Sequence, residues 1–128
     1  MLSADLQAGY YHMEIHEEDQ EYVGFELDGE YYVFCALPFG LSFAPYAFQL
    51  LTRQVVRSWR ARGIKVVHYL DDFLWLAPSA HAGRQLAHVV RHDLEILGFI
   101  ISEPKSHLEP TQCLVHLGFT VDLVRMVF

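Results

Sequence analysis

The stretch from Ile64 to Ala77 constrains the fold more than any other part of this chain. An apolar, β-branched run (Ile64 to Leu70) meets Asp71-Asp72, and a second apolar run, Phe73 to Ala77, leads away again. Two such runs flanking a short polar pair read as a β-hairpin with the acids at its tip. Adjacent carboxylates repel each other. Burying them beside apolar strands costs on the order of several kcal/mol unless water or a cation neutralises them. The plain alternative is a solvated turn, a position that Asp favours in any protein.

The rest of the chain supplies the layers around this hairpin. Met1 to Leu6 is a short apolar segment carrying Asp5, and Gly9-Tyr10-Tyr11 reads as its exit into a turn. Tyr22 to Leu27 and Tyr31 to Ala36 form another hairpin around Asp28-Gly29-Glu30, a strong turn signal. Leu37-Pro38-Phe39-Gly40-Leu41 breaks the pattern, since proline lacks a ladder donor. From Ala44-Pro45 to Ala61, Ala47, Phe48, Leu51, Val55 and Trp59 recur at helical spacing, with Pro45 in the first turn and Gly63 beyond the end. Arg53, Arg57 and Arg60 fall on the other side. His81 to Leu97 reads as a second amphipathic helix, with Leu86, Val89, Val90, Leu94 and Leu97 inward and Gly98 as its stop. Phe99 to Ile101 is expected as a strand, Ser102 to Gln112 as a polar connection, and Leu114–Val121 with Val124–Phe128 as a closing strand pair. Two helices on one face of an antiparallel sheet make a two-layer α+β domain.

Length and charge narrow the classes. The 128 residues, 52% hydrophobic, suit one domain with one core. No apolar run is long enough for a membrane span, and Met1-Leu2-Ser3-Ala4-Asp5 lacks the basic and apolar regions of a signal peptide, which argues for an intracellular chain, cytoplasmic or nuclear and not secreted. Cys35 and Cys113 lack metal-ligand spacing and are expected as reduced thiols. The net charge of −7 speaks against a uniformly basic nucleic-acid surface, but it is unevenly spread. Residues 1 to 34 hold Asp5, Glu14, Glu17, Glu18, Asp19, Glu21, Glu26, Asp28 and Glu30 with no Lys or Arg, whereas Arg53, Arg57, Arg60, Arg62 and Lys65 cluster together. One basic face on an acidic body and an ordinary solvated helix surface both fit this pattern. His88 and His92, one helical turn apart, and His12 and His16 have no evident third ligand for a metal site.

Asp5 and Asp71 each end an apolar strand, and in a small sheet two such ends can lie side by side, bringing Asp5, Asp71 and Asp72 together. The period of two puts Tyr69 and Asp71 on one face of the hairpin and Leu70 and Asp72 on the other, which favours Asp71 as the direct ligand. Oxygen-only ligands favour Mg²⁺ or Mn²⁺. Two such ions about 3.5 to 4 Å apart serve in-line phosphoryl transfer.

At this point the sequence resembles the reverse transcriptases, in particular those of long-terminal-repeat, gypsy-like and related DIRS-like retrotransposons. Asp5-Leu6-Gln7-Ala8-Gly9-Tyr10-Tyr11-His12 is similar to the first catalytic motif, Leu37 to Pro45 to the template- and nucleotide-positioning motif, and Tyr69-Leu70-Asp71-Asp72 to the catalytic tetrad. Leu97-Gly98-Phe99 through Pro104-Lys105-Ser106 resembles the lysine-bearing motif, and His116-Leu117-Gly118-Phe119 the primer grip. The resemblance implies a polymerase palm with a ferredoxin- or RRM-like core and template-directed DNA synthesis from a dNTP, on an RNA or DNA template with a DNA primer. It implies that Asp5, Asp71, Asp72 and the Leu6 carbonyl hold two Mg²⁺ or Mn²⁺ ions. Tyr10 would act as the steric gate under the sugar, with Phe39 and Gly40 bordering nucleotide and template. Lys105 would protonate the leaving pyrophosphate, and Leu117, Gly118 and Phe119 would support the primer end. Tyr10, Phe39 and the primer-grip segment also read as ordinary core or edge residues, and Lys105 as a solvated loop residue.

Against that family's pattern, the fingers ahead of the first motif and the thumb behind the primer grip are absent from these residues. The chain is therefore expected to be a palm fragment or remnant, reliant on fingers and thumb segments of a parent polyprotein and, as a lone chain, prone to self-association through exposed apolar surface. The alternatives are a catalytically silent palm-fold binding or assembly module, or some other two-metal nucleotidyl transferase or nuclease.

Overall fold

The computed structural model describes residues 1–127. Strand β1 (Leu2–Asp5) is followed by a 3-10 turn (Gly9–His12), the hairpin β2 (Gly24–Leu27) and β3 (Glu30–Val33), helix α1 (Ala44–Ala61), the hairpin β4 (Lys65–Tyr69) and β5 (Asp72–Leu76), helix α2 (Ala80–Ile96), and the hairpin β6 (Cys113–His116) and β7 (Phe119–Asp122). β5 is the middle strand of an antiparallel sheet ordered β1-β5-β4, and the other two hairpins form sheets of their own.

Register decides which face each side chain takes. Leu2 stands opposite Trp75 and Ala4 opposite Phe73, while Val66 pairs with Trp75 and His68 with Phe73. Opposed residues in an antiparallel ladder point the same way, so this set lines one face. It shares one core with Phe48, Val55, Val56 and Trp59 of α1 and Val90 and Leu94 of α2. Trp59 meets Phe73 and Trp75 edge-on, with ring centroids 5.5 and 5.3 Å apart, a geometry that adds about 0.5–1.5 kcal/mol per pair beyond area burial. On the other face Leu74 packs with Met1 and with Leu114 and Val121 of the β6–β7 hairpin. The α+β architecture, with both helices sharing the core of one sheet face, is as the sequence implied.

Local chemistry sets the ends. Pro45 sits in the first turn of α1, Gly63 follows it at φ 79°, and the Ser79 hydroxyl caps α2 by accepting from the Ala82 N–H at 3.1 Å. Asp28-Gly29 turns with φ of 54° and 83°, both positive as a two-residue hairpin turn of type I′ requires.

Several expectations are corrected. The tip of the β4–β5 hairpin is Leu70-Asp71, because Tyr69 pairs with Asp72 and Asp72 is already a strand residue. Phe99–Ile101 forms no strand, only an isolated bridge between Ile101 and Leu6. The segment read as a polar connection runs along the edge of β1 instead: Ser3 and His107 exchange both backbone hydrogen bonds, at 2.9 and 2.8 Å, and Ser102 N–H donates to Asp5 O at 2.9 Å. It protects an edge that would otherwise expose unpaired groups. Leu114–Val121 is not one strand, since Leu117-Gly118 turns it back on itself at φ of 50° and 80°. Val124–Val127 only bridges back to Asp122, and Phe128 lies outside the described residues. On the helices, Leu51, Val89 and Leu97 are exposed, while Thr52 and Val56 are buried. Among the described residues no helix is long and apolar enough to cross a membrane.

Candidate active site

The three carboxylates converge at one end of the sheet, and backbone pairing brings them there. Asp5 is directly opposite Asp72, and Asp72 directly opposite Tyr69, so these three side chains share the face away from the helices. Asp71 reaches the same end from the turn, where its carbonyl accepts from the Leu6 N–H at 3.1 Å. Alternation had put Asp71 with Tyr69 and Asp72 on the opposite face; the count of two fails because Leu70, at φ 53°, reverses the chain between them. A leucine in the left-handed region is strained by about 1–3 kcal/mol, and such strain clusters at functional turns.

The charges at this end are under-compensated. Burial pushes the Asp5 carboxyl above the usual carboxylate range; Lys105, with Nζ 3.6 Å from Asp5 Oδ1, opposes the rise and Asp71 adds to it. Burial likewise raises Asp72, reinforced by Asp71 and Asp5 and opposed by His116 and Lys105. The Asp5 side chain is only 14% exposed, whereas Lys105 is 70% exposed, so the lysine neutralises from the solvent side. Among the described residues no group of three or more His, Cys, Asp or Glu stands in ligand geometry. In donor chemistry the end fits a hard divalent cation: oxygen donors, excess negative charge, and partial burial that makes the charge costly.

Tyr10, on the 3-10 turn after β1, packs between Phe39 and Phe48, with centroids 4.8 and 5.5 Å away. Burial raises its phenol pKa, and Asp71 and then Tyr69 raise it further. Phe39 is exposed, and Gly40 follows it at φ 91°. The tyrosine and the aromatic loop are thus brought together beside the acidic end. Leu117 and Gly118 form the tip of the β6–β7 hairpin, with Phe119 opening β7 and exposed. This hairpin covers the carboxylate face through Leu114 and Val121.

Three residues that the sequence reading named only as parts of motifs have roles of their own beside the acids. A Cβ on Gly9 would lie 2.9 Å from the Phe48 ring and 3.3 Å from Asp71 Cβ, so glycine alone lets the turn close on the acidic end. Ser106 accepts the Asp5 N–H at 3.1 Å and donates to Ser102 O at 2.7 Å, fixing the segment that carries Lys105. His116 faces Asp72 from β6. A glycine after a strand end is a readable turn signal; the contacts of Ser106 and His116 with Asp5 and Asp72 leave no mark of their own in the sequence. A cleft of about 860 Å³ opens elsewhere, between Tyr11, His12, Trp59, Asp93 and Phe99, and none of the three carboxylates lines it.

The profile of the family described as Reverse transcriptase (RNA-dependent DNA polymerase) matches residues 1–121. The Gag-Pol polyprotein of Rous sarcoma virus subgroup B (strain Schmidt-Ruppin) is 31% identical over 120 residues, covering 86% of this chain and 7% of the polyprotein. The retrovirus-related Pol polyprotein from transposon gypsy of Drosophila melanogaster is 26% identical over 125 residues, covering 83% of this chain and 12% of the relative. A foamy viral protease-reverse transcriptase in complex with an RNA/DNA hybrid superimposes with a TM-score of 0.82 at 26% identity, over 95% of this chain and 16% of that one. The chain therefore spans a small part of the proteins it matches. A matching fold and a family profile over nearly the whole length agree: the chain belongs to the reverse transcriptase family, of the retroelement kind.

Proposed function

We propose that this chain is the palm of a retroelement polymerase and that Asp5, Asp71 and Asp72 form its catalytic cluster. The observation that carries this is the register: Asp5 opposite Asp72, with Leu6 N–H on Asp71 O, holds three carboxylates at one half-buried sheet end with too little positive charge to balance them. Two Mg²⁺ or Mn²⁺ ions, when bound, supply charge neutralisation and activation of a primer 3′-OH. Asp5, Asp71 and the Leu6 carbonyl would hold them, with Asp72 completing the acidic field. Tyr10 lies under the sugar of the incoming dNTP, its ring braced by Phe39 and Phe48. Phe39 and Gly40 border nucleotide and template. Lys105, already beside Asp5, gives a proton to the leaving pyrophosphate. Leu117, Gly118 and Phe119 hold the primer's 3′ end on an RNA or DNA template. The residues work by positioning and electrostatics, with further segments of a longer polyprotein completing the grip on the duplex.

Calorimetric titration with Mn²⁺ tests the cluster without requiring turnover: binding that is lost in both Asp5→Asn and Asp71→Asn supports it. Primer extension with Mg²⁺ or Mn²⁺, with fingers and thumb segments supplied, tests the activity, which should be lost in Asp71→Asn. Absence of any Mn²⁺ site dependent on Asp5 and Asp71 contradicts the catalytic reading and leaves a silent palm-fold scaffold.

A further inference from the structure

Arg53, Arg57 and Arg60 recur along α1 at intervals of four and three, which sets them on one exposed flank. Arg60 Nη2 donates to the Val66 carbonyl at 2.9 Å, so this flank lies along the free edge of β4, the outer strand of its sheet. The Val66 carbonyl faces away from β5. In an antiparallel strand the backbone groups of His68, two residues on, face the same way. The His68 ring stacks on buried Phe73, with centroids 5.8 Å apart, and its Nε2 is buried with no hydrogen-bond partner among the described residues. Burial, and then the guanidiniums of Arg60 and Arg53, hold this imidazole below its usual range, as expected where positive charges crowd together.

What sets this flank apart is the lack of any opposing charge. Arg62, Arg84, Arg91, Arg125 and Lys105 each meet a carboxylate. Arg53, Arg57 and Lys65 meet none among the described residues, in a chain whose net charge is −7. The eight residues from Arg53 to Arg60 cover roughly 10 Å of helix, about three phosphates of a strand that rises 3.4 Å per nucleotide.

We propose that the α1 flank of Arg53, Arg57 and Arg60, along the free edge of β4, is a binding site for the phosphates of a nucleic-acid strand, distinct from the carboxylate end. The choice of nucleic acid over other polyanions rests on the polymerase reading above; the site itself does not. Guanidiniums bind phosphate oxygens through paired N–H groups and release counterions as they do so.

The test is fluorescence anisotropy of a labelled single-stranded DNA 20-mer against salt concentration, in EDTA, where the carboxylates hold no cation. Arg53→Gln/Arg57→Gln should weaken binding at least tenfold at low salt and make the log K against log salt slope shallower by roughly 1 to 1.5, two phosphate contacts' worth. The charge-matched control Arg84→Gln/Arg125→Gln should stay within about twofold of the native chain. Equal losses in both double variants, no loss in the first, or no binding by the native chain each overturn the proposal. Asp71→Asn should bind in EDTA at least as well as the native chain. Failure of the catalytic reading therefore shows in the Mn²⁺ titration and failure of this site in the EDTA measurement.

Discussion

Asp93 and the cluster of Asp5, Asp71 and Asp72 are carboxylates of one small domain held in opposite ways. Asp93 on α2 accepts the Trp59 Nε1–H at 2.7 Å and pairs with Arg62, and despite the cost of its burial these partners hold its carboxyl below the usual range. Asp5 and Asp72 sit where burial and neighbouring acids push theirs above it. The first charge stabilises the fold, tying the end of α1 to α2 over the buried Trp59. The second is opposed by its surroundings, the condition expected of a site whose negative charge serves a ligand rather than the core.

Removing Asp93 should have the largest effect. Asp93→Ala leaves the Trp59 N–H buried without an acceptor and is expected to cost about 1–3 kcal/mol, read from the urea midpoint. Asp93→Asn keeps an acceptor and should cost less.

The pH dependence separates the two regions by sign. Asp93 has a lowered folded pKa, so its contribution is full above the unfolded value of 3.8 and is lost as pH falls through the folded one. Asp5 and Asp72 have raised folded pKa values, so their ionisation lowers stability as pH rises from 3.8 through the folded values. At neutral pH Asp72→Asn should therefore stabilise the metal-free chain by up to about 1 kcal/mol, the scale of charge effects near water, and the gain should vanish below pH 3.8. Loss of stability at neutral pH would erase the contrast between the regions.

The smallest effect belongs to Lys105. Lys105→Met removes the cation beside Asp5 and should destabilise by roughly 0.2–1 kcal/mol at low salt and by almost nothing at 1 M salt. An effect independent of salt would mean that the lysine stem, not its charge, matters.

The contrast also marks what could be read from the sequence. Helix α1 was legible because Pro45, the apolar spacing and Gly63 agree, and the β2–β3 hairpin because Asp28-Gly29 takes the positive φ angles its turn needs. Thr52 was missed as a core residue because its hydroxyl is satisfied inside the helix, by the carbonyls of Phe48 and Gln49, which lets a polar side chain replace an apolar one. The cover on β1 was illegible because backbone hydrogen bonds hold it and leave no side-chain pattern. The acids were visible as a group, but their pairing was not: the face of Asp72 depends on a leucine at positive φ, which no periodicity reports.

The central claim is that the charge of the Asp5 end works against the metal-free fold and serves a divalent cation. Denaturant unfolding of the native chain and Asp5→Asn, each with EDTA and with saturating Mn²⁺, tests it directly. The account predicts that Asp5→Asn is the more stable of the two in EDTA, and that Mn²⁺ at a hundred times its dissociation constant stabilises the native chain by about 2.7 kcal/mol but leaves the variant unmoved. A variant that is less stable in EDTA, or that gains as much from Mn²⁺ as the native chain, contradicts it.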